Sequence, residues 1–141
     1  RWPGKVPAGK VDGRSILTAQ DVFPTLCAIA GATLPGGEPL DGIDVSRAWR
    51  GQPITRRAPL LWEYGRNDEF FQYGPDRSPS LAVRRGDWKL LINPDRTRTE
   101  LYDIVKDPAE QQNVAGAHPA VVAELTALLF DWRETWPRVS P

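Results

Sequence analysis

The apolar positions of this chain fall into two periods. In the closing stretch Val121, Val122, Leu125, Leu128, Leu129 and Trp132 recur at helical spacing behind Pro119, a residue suited to a first helical turn, so a long terminal helix is predicted. Ahead of it lie short β-type runs. Leu60, Leu61, Trp62 and Tyr64 form one, and Leu81 to Val83 and Trp88 to Ile92 form two arms around Gly86-Asp87, a Gly-X pair that favours a two-residue hairpin. Glu100 to Ile104 is a fourth. Asp107-Pro108-Ala109-Glu110 has the spacing of an N-cap, a first-turn proline and a capping-box glutamate, which predicts a helical turn starting at Pro108. A short antiparallel sheet covered by the terminal helix is an α+β layer.

The N-terminal third reads differently. Residues 1 to 17 hold two prolines and three glycines and predict an irregular surface stretch. Thr18 is placed to cap a helix from Ala19 to about Ala30, with Val22, Phe23, Leu26, Cys27, Ile29 and Ala30 on its apolar face and Gly31 as its stop. Pro35 to Arg57 is a connector, with a turn at Asp41 to Asp44 and one short helix over Val45 to Trp49. From Gly65 to Pro79 runs a loop bearing Phe70, Phe71 and Tyr73; long, aromatic loops of this kind are where function concentrates.

Composition narrows the function classes. Lys+Arg and Asp+Glu both number 18 in 141 residues, so there is no net charge to draw the chain to nucleic acid or an anionic membrane. No apolar run approaches the roughly 18 residues of a membrane span. The basic residues are mostly arginine, a bias that suits a GC-rich bacterial genome. The chain begins at Arg1 and has no methionine, so it is expected to be a piece of something longer. Cys27, the single cysteine, sits among apolar neighbours and reads as a small buried hydrophobe. His118 is the single histidine and precedes Pro119, which suits a structural place at a helix start. Zinc sites need more ligands than this. Asp41, Asp44, Asp68 and Asp76 read as turn formers, without the spacing of a calcium-binding EF-hand.

Several phrases together resemble the C-terminal signature of the type I sulfatases: RWPGK at residues 1 to 5, DVFPTLCAIAG from Asp21, LDGIDVSRAWRGQP from Leu40, GDWKLL from Gly86, ELYDI from Glu100 and DPAEQQNVA from Asp107. The resemblance spans Arg1 to Trp136. It implies that residues 1 to 57 are the end of a large α/β domain with its connector. Residues 58 to 141 would then be a small subdomain, a four-stranded antiparallel sheet with a long C-terminal helix beside the active-site mouth. It also implies a parent enzyme that hydrolyses sulfate esters of small molecules or carbohydrates, using a formylglycine and a divalent metal, usually calcium. The formylglycine context is absent, because Cys27 is followed by Ala28-Ile29-Ala30, and Ser78-Pro79-Ser80-Leu81 has its proline one place early and no arginine. No catalytic residue and no metal ligand is therefore assigned, and the chain alone is expected to be inactive.

Trp62, Arg66, Asn67 and Arg77 are the candidate substrate-binding residues, since guanidinium groups pair with sulfate and rings stack on sugars. For Trp62 the competing reading is packing, because strand aromatics are commonly buried. Trp88 is assigned to the core, Lys89 is assigned to solvent or to a cross-strand pair with Glu100 or Asp103, and Arg84 and Arg85 to the surface or the edge of the large domain. Two alternatives stand beside the sulfatase reading: a stand-alone module that binds a sugar or a protein, and a related phosphatase or phosphonate-ester hydrolase. If the Thr18 helix belongs on a larger domain, its apolar face should make this chain self-associate. A periplasmic or secreted location would follow from a signal peptide upstream.

Overall fold

The structure is a computed structural model that describes residues 2–34, 36, 40–64 and 78–136. The chain divides into two compact units, Arg1–Arg56 and Arg57–Pro141.

In the first unit a 3-10 turn, Ala19–Asp21, leads into α1, Val22–Ala30, and Gly31 closes the helix in the left-handed region at φ 68°. The entry is tighter than the α-helical start expected from Thr18. Its cause is Asp21, whose Oδ2 accepts from the Thr18 N–H at 2.9 Å and so curls the chain before the helix begins. A second helix, α2, covers Ser46–Trp49.

The face of α1 that this unit buries is not the apolar one. Pro24 and Thr25 are buried, with Asp21 just ahead of them, whereas Val22, Phe23 and Leu26 are exposed and Cys27 is half-buried. Cys27 is thus less enclosed than its apolar neighbours suggested. Polar contacts explain the reversal. The Asp21 carboxylate accepts from the Thr18 and Ile43 N–H groups and pairs with Arg56; Thr25 Oγ1 accepts from the Val45 N–H at 2.9 Å; Ser15 Oγ accepts from the Ile54 N–H at 2.9 Å. These bonds tie the connector to one side of the helix. Gly42 lies so close to the Gln20 backbone that a Cβ there would collide with the Gln20 carbonyl.

The second unit holds one four-stranded antiparallel sheet in the order β1 (Leu60–Glu63), β2 (Leu81–Arg85), β3 (Trp88–Ile92), β4 (Glu100–Asp103). The α+β layer expected from the pattern is therefore present. Arg85 faces Trp88, so Gly86 and Asp87 alone make the β2–β3 turn. Gly86 has φ 58°, which suits the first position of a II′ turn and favours a residue without a Cβ.

The helix α3, Pro119–Glu134, covers one face of the sheet. Alternation along the strands sends Leu81, Val83, Leu90, Ile92 and Leu101 to that face. They are buried there together with Leu125 and Leu129. The rest of the expected stripe, Val121, Val122, Leu128 and Trp132, is half-buried against the same cluster. Trp88 also packs on it, partly covered, with its ring 4.8 Å from that of His118 at the start of α3.

One element is not where the spacing put it. Asp107 to Glu110 forms a turn closed by the Glu110 N–H on the Asp107 carbonyl at 3.1 Å, and no helix starts at Pro108. Glu110 adopts φ 55°, outside the helical region. The capping-box geometry is lost because the Glu110 carboxylate is drawn away to Lys89, whose Nζ donates to both of its oxygens at 2.6 and 2.7 Å. This also corrects the partner of Lys89, which is Glu110 and neither Glu100 nor Asp103.

Candidate functional site

The sheet face turned away from α3 carries the chemistry of the second unit. Register and alternation place Leu60, Arg84, Lys89 and Tyr102 in one row across the four strands and Trp62, Ala82, Leu91 and Glu100 in the next. Leu60, Leu91 and Tyr102 are buried, and Trp62 keeps 40% of its surface exposed. Of the candidate substrate residues, Trp62 therefore stands on β1 as a partly open ring. Arg66, Asn67 and Arg77 lie outside the described residues, as do Phe70, Phe71, Tyr73, Asp68 and Asp76.

Several groups on this face had no individual signal in the sequence. The Tyr102 hydroxyl donates to Glu100 Oε2 at 3.0 Å. Burial, reinforced by the Glu100 carboxylate, pushes the phenol up to about 12, so it keeps its proton and stays a donor. Arg98 reaches the other oxygen of Glu100 at 3.5 Å. Lys89 and Glu110 neutralise each other at the middle of the face.

The segment after β4 is pinned by side chains of the DPAEQQN phrase. Asp107 Oδ2 accepts from the Gln112 N–H at 2.7 Å, and Asn113 Oδ1 accepts from the N–H groups of Leu101 at 3.1 Å and Ala115 at 3.0 Å. Asn113 Nδ2 donates to the Thr99 carbonyl at 3.2 Å. Asp107, Glu110 and Asn113 thus fold this segment onto the last strand. The phrase is built for shape, not for reaction.

The same holds for cofactors. Among the described residues no three His, Cys, Asp or Glu side chains gather as metal ligands would. Cys27 lies inside α1 with no proline or arginine after it. These residues do not fit a calcium site or a formylglycine.

No family model matches the chain. Individual relatives do. N-acetylgalactosamine-6-O-sulfatase of Bacteroides thetaiotaomicron is 29% identical over 143 residues, which is 92% of this chain and 25% of that protein. Arylsulfatase A of Homo sapiens is 32% identical over 149 residues, 90% of this chain and 28% of that protein. A solved structure described as a 2-O GAG sulfatase superposes with a TM-score of 0.60 at 29% identity, covering 79% of this chain and 23% of that one. The fold, an antiparallel four-stranded sheet under a terminal helix, is shared with that solved sulfatase. The chain belongs to the sulfatases and corresponds to their C-terminal region. It spans about a quarter of the length of the relatives it matches.

Proposed function

We propose that the sulfatase to which this region belongs hydrolyses sulfate esters on carbohydrates, and that this region completes its fold and shapes the substrate pocket without carrying the reaction itself. One observation supports this above all: similarity running through nine-tenths of the chain to two sulfatases named for different substrates. The carbohydrate class rests on relatives named for N-acetylgalactosamine 6-O-sulfate and hexuronate 2-O-sulfate. In this reading formylglycine and calcium are supplied by residues that precede the present ones.

Within that protein, residues 1 to 57 end the large α/β domain and 58 to 141 form the small subdomain. Trp62, Arg66, Asn67 and Arg77 then face the substrate. The exposed Val22, Phe23 and Leu26 of α1 are the surface that meets the rest of the large domain, and in the isolated chain they drive association between copies.

The test is sulfate release from a small aryl sulfate by the full-length protein, with residues 1 to 141 as the blank. Release by the full-length protein only is the expected result. Release by the short chain, or a full-length protein that cleaves phosphonate monoesters and no sulfate ester, overturns the reading. Light scattering on the short chain checks the association separately, and a monomer would overturn that part.

A further inference from the structure

The face described above contains a cation, Arg84, with no pairing partner among the described residues. Arg84 lies opposite Leu60 on β1 and opposite Lys89 on β3. Like charges directly across a ladder repel. Lys89 is relieved by Glu110, at 2.6 and 2.7 Å. Among the described residues Arg84 has no such partner: no hydrogen bond or ion pair joins its side chain to one, and its Nε is buried without an acceptor. Its chain neighbour Arg85 points to the other face and pairs with Glu124 on α3. The difference follows from strand alternation, which aims one arginine at the helix and the other at the opposite surface.

A buried N–H without an acceptor is costly to keep, and the Nε of Arg84 calls for an explanation. The planar fork of donors on arginine matches the oxygens of a sulfate or carboxylate group. Diagonal to Arg84 on the same face, through its pairing with Ala82, stands Trp62, a residue with 40% of its surface exposed. Diagonal neighbours on a sheet are within reach of long and aromatic side chains. A cation for an oxyanion and a ring for an apolar sugar face therefore stand side by side.

We propose that Arg84 and Trp62 form a subsite for a sulfated sugar, with the guanidinium holding the sulfate oxygens and the indole stacking on the sugar ring. The choice of sulfate over other oxyanions rests on the sulfatase reading above; the pairing of cation and ring does not. Arg84 acts here in recognition, away from any reacting bond.

The 141-residue chain is titrated with N-acetylgalactosamine 6-sulfate while NMR follows the Arg84 Nε–H and the Trp62 indole N–H. Both signals are expected to shift and saturate together. Unsulfated N-acetylgalactosamine and inorganic sulfate should each bind at least about ten-fold more weakly, about 1.4 kcal/mol. Arg84→Gln should abolish binding, Arg84→Lys should retain part of it, and Trp62→Ala should reduce affinity for the sulfated sugar to that for inorganic sulfate. The lysine variant keeps the charge, so it separates a lost anion contact from a disturbed fold. The proposal is overturned if the wild-type signals do not saturate, if Arg84→Gln binds within about two-fold of wild type, or if inorganic sulfate binds as well as the sulfated sugar. No turnover enters the readout, so failure here is distinct from failure of the full-length protein to release sulfate.

Discussion

Replacing Asp21 by asparagine tests the buried polar node that organises the first unit. Asp21 is 1% exposed, and the side chain of its partner Arg56 is 2% exposed. Arg56 Nε donates to the Ile16 carbonyl at 3.3 Å, and Nη1 is already buried with no acceptor. The Thr18 and Ile43 N–H groups donate to different oxygens of Asp21, so Asp21→Asn keeps an acceptor for one of them, turns an amide NH2 toward the other, and removes the only carboxylate that pairs with Arg56 among the described residues. Breaking a buried ion pair from one side costs about 3–5 kcal/mol, mostly because the surviving charge stays buried.

The carboxyl also links this node to pH. Burial pushes its pKa up, and the Arg56 guanidinium with the Ile43 and Thr18 N–H groups more than reverses that, holding it below the ordinary 3.8. A depressed folded-state pKa stabilises the unit above 3.8, and that stability is lost as pH falls through the folded value. Asp21→Asn should flatten this acid limb.

Amide hydrogen exchange read by mass spectrometry, on segments that contain Ile43 and Val45, reports the unit without assuming that both units unfold together. Exchange at these amides should accelerate by two orders of magnitude or more, the kinetic equivalent of about 3 kcal/mol. Asp21→Asn combined with Arg56→Leu should cost less than the sum of the two single changes, because no orphaned cation remains. A cost below about 1 kcal/mol for Asp21→Asn, with unchanged exchange at Ile43, would refute the view that this pair holds the connector in place.

Three further outcomes are expected. Leu129→Ala, at a 0% exposed position in the core between α3 and the sheet, should destabilise the second unit by about 2–5 kcal/mol in urea unfolding followed by tryptophan fluorescence. Gly42→Ala should cost about 1–3 kcal/mol, since its Cβ meets the Gln20 backbone and not a flexible side chain; faster exchange at the Val45 amide would show it. The difference in alkaline ultraviolet titration between wild type and Tyr102→Phe should show a phenol ionising near pH 12. Because that pKa is raised from 10.0, its stabilising contribution is present below pH 10 and lost as pH rises through about 12, and a difference curve centred at 10 would contradict the buried donor bond to Glu100.

The parts that were legible in the sequence are those whose causes are local. Gly86 fixes a two-residue turn by its own backbone freedom, and the strands on either side keep their register from it. The stripe from Val121 to Trp132 specifies a helix because neighbours three and four residues apart share a face. Asp107 to Glu110 shows where this logic stops. The same spacing serves a capping box or a turn, and a lysine 21 positions away decided between them by taking the glutamate. On α1 the apolar residues share a face, but which side this unit buries is decided by Asp21 and Thr25 bonding to a connector about 20 residues later.

The candidate site divides in the same way. Trp62 was identifiable as an aromatic at the end of a strand, next to a long loop. Arg84 was not distinguishable from Arg85, since both are arginines before the same turn. By itself, the chain of residues determined the helices, the hairpin, the sheet and the family they belong to, because periodicity, turn chemistry and shared phrases act over short stretches. Only the tertiary structure decided which polar groups are satisfied: the ion pairs of Asp21 with Arg56 and of Lys89 with Glu110, and the Arg84 Nε buried without an acceptor among the described residues, depend on how distant groups are brought together and removed from water.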